Sequence, residues 1–498
     1  MAGGGLRANP PQMQNGKIRG SFAICLTEIR FALTYFYMNR RYIASALAVS
    51  AVGALFADIA PGTYSGQEIT ETNFAYPGGN SEWIFEDCNF SSPFRLVWGD
   101  TNADSAYHVT YSGTEGVFSE FKLMRGGMNS SSVFEMSGSA ENRAVLNGAS
   151  SLWIFEIDTS KTAGSNASNE LRLSGYSDFS VVNFKVASDA GFKSGSAGMT
   201  ISGAGNSFTA TGASYINTNA ATADSTNRLF LDLSGVAGAK SSATFADNLD
   251  VRAAGGGTTE INVKGNADFT VAGYFRFAMD SSGGSADFNV TGEGNSLNFT
   301  KTAGNFFLLG SDLTGGDVSF TIGGRNNSMT VGSNAWIGSK VAGSGKVTFG
   351  IEGSGHSVQF NGSFNLRAEN GNSATLAFAA DADGLSTLNV ASLGLFSGDM
   401  TVDLSDFVGD RSGVYTVALI SADSGWESIA ATLEGSSADP SSKVGVIMGE
   451  GGLSWDISYA DNELQLTYNY TPGVPEPAAW AAIFGAAALA LAVRRRRA

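Results

Sequence analysis

Two groups of carboxylates are the first candidates for chemistry. Asp381 and Asp383 stand two apart in DADG, and Asp403, Asp406 and Asp410 are spread along DLSDFVGD. Two carboxylates at a set separation can cleave a glycosidic bond, one as acid and the other as base or nucleophile. Asp residues in a Gly-containing loop can also ligate Ca²⁺. Neither stretch supplies the further oxygen ligands of a calcium loop, and both lie in turns, so both read as solvated turn residues. His356 in GSGHSV occupies a place that other stretches give to Asn206, Asn295 and Asn327, which makes it a corner residue and not a general base. His108 in AYHVTY alternates with apolar neighbours. Of two cysteines, Cys25 and Cys88, the second reads as a buried or half-buried thiol; there is no disulfide framework and no Cys-based metal site. No G-x-S-x-G, P-loop or H-E-x-x-H occurs. The expectation is a chain with no catalytic, cofactor-binding or metal-binding residues.

The elements that would position any such residue repeat. ISGAGNSFTATG from Ile201, VTGEGNSLNFT from Val290, TIGGRNNSMTVGS from Thr321 and IEGSGHSVQFNGS from Ile351 each read as strand, Gly-rich turn, Ser, strand. The serines are Ser207, Ser296, Ser328 and Ser357. The last three are about 30 residues apart, and the first gap is close to three such units, filled by degenerate copies at Leu231 and Ile261. Each unit parses into three short strands, as in SLNFT, NFFLLG and DVSFTI. Three strands per unit with alternating apolar residues predict one coil of a parallel β-helix. Phe299, Phe320, Phe349 and Phe360 are expected to point inward. Gly and Asn are expected at corners that need φ > 0.

The composition agrees. The 498 residues include 64 Gly, 9 Pro and 33 Phe, with 43% apolar residues, enough to bury a core and without a collagen period. Six of the 30 basic residues precede Asp58 and four close the chain, which leaves 20 against 45 acidic residues in between. A body with a net charge of −25 repels nucleic acid and anionic membranes.

Both ends read as addresses. From Met38, two arginines, Arg40 and Arg41, precede an apolar run to Ala57, the layout of a secretory signal peptide. Met38 is the expected start, with cleavage after Ala57, or after Ala54 as the alternative. At the C-terminus, Val474, Pro475, Glu476 and Pro477 precede an apolar stretch over 478–493 and then Arg494, Arg495, Arg496 and Arg497. Sixteen helical residues reach roughly 24 Å, just enough for a bilayer with snorkelling flanks, and the arginines would stay cytoplasmic.

This tail resembles the PEP-CTERM sorting signal of Gram-negative bacteria, over about 25 residues with its three parts in order. The resemblance implies recognition by exosortase, with Val474–Pro477 and Arg494–Arg497 as recognition residues, transient inner-membrane anchoring, and delivery to the cell surface or an exopolysaccharide matrix. Signal peptidase would be the other export partner. The body and its ending also resemble, loosely, autotransporter-type β-solenoid passengers.

The organisation expected is therefore an extension and signal peptide over 1–57, irregular early coils or a cap over 58–125, β-helix repeats over 126–410, a β-rich cap over 411–473 and the sorting signal over 474–498. The function expected is that of a secreted structural or adhesive surface protein, with exopolysaccharide as a possible partner and no nucleic-acid partner. The alternative is a polysaccharide lyase or glycoside hydrolase on the same scaffold. A cluster of three or more charged side chains on adjacent coils of one face would favour that alternative.

Overall fold

The computed structural model describes residues 58–471, apart from 72, 75–78, 99–103, 124–128, 149–151, 156–165, 189–193, 219–225, 254, 280–281, 409–411 and 440. Ala57, Asp410, the sorting-signal residues and the apolar stretch 478–493 lie outside the described residues. Among the described residues no helix is long and apolar enough to cross a membrane.

The fold is all-β, a right-through stack of parallel coils with almost no helix. One coil is Thr258–Lys264, Ala267–Val271 and Phe275–Phe277; the next is Ser282–Thr291, Ser296–Phe299 and Asn305–Leu309; the next is Gly315–Ile322, Ser328–Val331 and Asn334–Ile337. First strands pair with first strands in a 14-stranded ladder. Second and third strands form two further parallel ladders that join where Ser357–Leu366 runs through both. The three strands per coil are thus as the sequence predicts. The serines align in one row, Ser207↔Ser242↔Asp268↔Ser296↔Ser328↔Ser357, so the long first gap does span three coils. Parallel pairing reaches back to Gly62–Ser65 beside Ser81–Glu86.

Alternation decides what lies inside. Thr258–Lys264 buries Thr259, Ile261 and Val263 and turns Glu260 and Asn262 outward. Because coils stack in register, like residues meet. Phe288, Phe320 and Phe349 form a continuous stack, with centroids 4.4 and 5.5 Å apart and planes 12° and 21° apart. Phe299, Phe320, Phe349 and Phe360 are all buried, so the strand phase read from the sequence holds. A coil alone cannot enclose such a core; stacking supplies the burial.

The first corner of the coils is made by left-handed residues, such as Gly265 and Asn266 at φ 67° and 49°, or Gly324 and Asn326 at 83° and 53°. Asn206, Asn295 and Asn327, expected to serve the same purpose, have another role described below. The C-terminal end changes direction: Gly413–Ala422, Glu463–Tyr470 and Gly452–Ala460 pair antiparallel.

Candidate functional site: two outward faces

Of the sequence-predicted carboxylates, Asp381 and Asp383 stay together on Arg325, whose Nε lies 3.6 Å from Asp381 Oδ2. Asp383 is exposed, with Arg325 Nη2 at 2.9 Å. Asp381 is not the solvated turn residue expected. Its Oδ1 accepts the N–H groups of Asp383 and Gly384 at 2.9 and 3.0 Å. Its Oδ2 accepts the backbone N–H and the hydroxyl of Ser354, one coil back, at 3.1 and 2.9 Å. Burial pushes its pKa up, but these four hydrogen bonds together pull it below the usual Asp value. The correction has a simple cause: the turn stacks against the preceding coil, so its carboxylate meets donors and not only water. Asp403 caps its own turn through the Ser405 N–H at 2.8 Å, and Asp406 is exposed.

His356 is a corner residue, and the structure gives the reason. Asn206, Asn295 and Asn327 are buried and lie on equivalent corners. Their amide nitrogens donate four residues back, to the carbonyls of Ser202, Thr291 and Gly323. Their Oδ1 atoms accept the backbone N–H of the coil before, from Ser177, Ala267 and Asn295 respectively. His356 copies both contacts: Nε2 lies 2.9 Å from the Glu352 carbonyl and Nδ1 accepts the Asn327 N–H at 3.2 Å. Ser386 continues the row by accepting the His356 N–H. Cys88 is buried beside the Glu86 carbonyl. His108 points outward between Glu82 and Glu135, 3.4 and 3.9 Å away. Among the described residues no three His, Cys, Asp or Glu side chains are grouped so as to hold a metal ion.

The outward face of the first ladder does carry charged side chains on adjacent coils. Arg228 binds Glu260 through Nε and Nη2 at 2.9 and 2.6 Å. Asp232 accepts from Asn262 at 2.7 Å and lies 3.7 Å from Lys264. Glu260 and Asp287 are register partners on consecutive strands. Burial, chiefly, raises the Asp287 pKa; a hydrogen bond from Ser319 at 2.5 Å opposes this, and repulsion from Glu260 and Asp317 adds to it. Glu260 is thus held by an arginine on one side, while its register partner Asp287 accepts from the Ser319 hydroxyl.

The outward face of the third ladder is different. Successive coils present Lys185, Tyr215, Asp250, Arg276, Leu308 and Trp336 at one register position. Rings and cations interleave: Lys301 lies over Tyr274 and Phe306 at 5.1 and 4.7 Å, and Arg276 over Tyr274 at 5.5 Å. Arg367 stacks on Trp336 at 4.1 Å. Gly338, at φ 100°, lets the two backbones approach here, since a Cβ there would lie 2.0 Å from the Arg367 carbonyl oxygen. Beneath, Asp250 is buried and holds Arg276 through two bonds of 2.5 Å. Tyr274, Arg276, Leu308, Trp336 and Arg367 line an open groove of about 400 Å³. Sequence reading missed this groove; its only sequence trace is the outward position of each third strand, where aromatic and cationic residues recur.

No protein-family model, curated protein or solved structure matches the chain.

Proposed function

We propose that this is an exported structural or adhesive protein of a Gram-negative cell surface or exopolysaccharide matrix, sorted by exosortase. The observation that carries the reading is the tail: Val474–Pro477, the apolar stretch and Arg494–Arg497 in that order. Two prolines keep the segment before the apolar run extended and open to a protease, and that run would act as a temporary single transmembrane helix. The body supports the reading by chemistry. A stack of coils offers long outward faces of Ser, Thr, Asn and charged residues, suited to binding spread along a surface. Signal peptidase would remove 1–57 and exosortase the tail. The test is mass spectrometry of both termini in surface and extracellular fractions. A chain beginning near Asp58 and lacking the arginines is expected; an intact Arg494–Arg497 run in extracellular material would overturn the sorting claim.

A second reading rests on Glu260 and Asp287. Their contrasting environments on adjoining strands favour a glycan-cleaving enzyme on the first-ladder face. Its test is a polysaccharide cleavage panel with the Glu260→Gln and Asp287→Asn variants.

A further inference from the structure

The third-ladder groove stands apart from the rest of the body in charge and in ring content. Across 58–477 acidic residues outnumber basic ones by more than two to one. Yet Arg276, Lys340 and Arg367 line this groove, and Asp312 is the one carboxylate among its lining residues. Lys301 stands at its edge, over the Tyr274 and Phe306 rings. Lys340 is well exposed and only loosely paired, with Asp312 at 3.3 Å. Arg367 has Glu369 at 3.8 Å and keeps its guanidinium over Trp336.

This pairing of groups selects a ligand class. An aromatic ring at a polar groove offers a flat apolar surface to the C–H face of a sugar ring. Cations between such rings add charge-assisted hydrogen bonds to carboxylates, and Arg does so with a fork that fits them. Neutral glycans would leave the cations unused, and an acidic peptide would leave the ring surface unused. The rings also follow the stacking direction. Leu308 separates Arg276, next to Tyr274, from Trp336 by one strand on either side, so the two ring sites are roughly 10 Å apart along the axis.

We infer that this groove binds a stretch of uronic-acid-bearing polysaccharide, laid along the coil axis between Tyr274 and Trp336, with Lys301, Lys340 and Arg367 meeting its carboxylates. The inference deepens the matrix-protein reading by naming the ligand class and the face that takes it. It concerns binding alone and involves no bond cleavage.

The experiment is titration calorimetry of the purified full chain with oligogalacturonate, beside neutral cello-oligosaccharide and poly-glutamate of matched length. Oligogalacturonate should bind, more weakly as salt rises, and the other two should bind at least about tenfold less tightly. Trp336→Ala should weaken binding roughly tenfold, Trp336→Phe should restore most of it, and Lys340→Gln should weaken it several-fold. Lys340 is exposed, so its variant keeps the test valid should Trp336→Ala unfold. Lys240→Gln, just before the second-ladder strand Ser241–Phe245, should change nothing. No binding by the folded protein, equal binding of poly-glutamate, or unchanged affinity in Lys340→Gln and Trp336→Ala would each overturn the inference. Failure here leaves the sorting test untouched, because binding by purified protein does not depend on how the tail is processed.

Discussion

The backbone N–H of Asn327 donates to Nδ1 of His356 on the next coil, at 3.2 Å, in the place where Asn295 donates to an Asn327 side-chain oxygen. The imidazole therefore works as a long asparagine. One ring nitrogen receives the neighbouring coil and the other reaches the carbonyl four residues back. This fixes the prediction for substitution. His356→Asn should keep both contacts and leave the melt nearly unchanged. His356→Ala should strand a buried N–H and a buried carbonyl and cost roughly 1–3 kcal/mol. Thermal melts of the two variants check it, and equal losses would mean the two contacts contribute nothing.

Phe320 tests the core. Its ring meets Phe288, Phe349, Phe307 and Phe275 within 4.4–6.3 Å. Removing it leaves a cavity bounded by neighbours from three coils, none of which can collapse without breaking its own stack. Phe320→Ala should cost roughly 3–5 kcal/mol. Phe306, outward and half-buried, should cost much less. Denaturant unfolding of both variants is the measurement, and similar losses would show that the outward ring packs as core.

Much of the fold is legible in the chain because stacking forces like onto like. Ser296, Ser328 and Ser357 share a register position, and Phe320 and Phe349 share another, so the period and the strand phase appear directly as spacing. What the chain hides is which partner a polar residue meets one coil away. Asn326 takes the left-handed corner that any asparagine there was expected to take, while its neighbour Asn327 is buried in the inter-coil row. Asp381 looks solvated until Ser354 is brought beside it. The groove was hidden for the same reason: Tyr274, Trp336 and Arg367 are far apart in sequence and converge only through the third ladder, whose strands are short and unevenly spaced.

Asp381 and Asp287 should respond to acid in opposite directions. The folded-state pKa of Asp381 is lowered, so the stability it adds is present above the unfolded value of about 4 and is lost as pH falls through the folded value. The folded-state pKa of Asp287 is raised, so its contribution is fully present below the unfolded value and is lost as pH rises through the folded one. At pH 7, Asp381→Asn should lower the melting temperature and Asp287→Asn should raise it. Both differences should shrink towards pH 3. Melts across that range check the signs, and a stabilising Asp381→Asn at pH 7 would contradict the hydrogen-bond geometry.

The last prediction concerns the ion pair that holds Arg276 in the groove lining. Asp250 is buried and grips Arg276 through two hydrogen bonds of 2.5 Å. Burying an ion pair gains little over a well-packed apolar pair, but removing one partner leaves the other charge desolvated and alone. The equivalent position one coil on from Arg276 is Leu308, so the lattice of the ladder already accepts an aliphatic residue there. Asp250→Val alone and Arg276→Leu alone should each destabilise the protein, by roughly 3–5 kcal/mol for Arg276→Leu, which strands the buried Asp250 carboxylate, and by less for Asp250→Val, which leaves a partly exposed guanidinium. The two together should return most of that loss, giving a large coupling energy in a double-mutant cycle measured by urea unfolding. Additive losses would mean that Asp250 and Arg276 act independently, and that Arg276 is held over Tyr274 by the ring and not by the carboxylate below it.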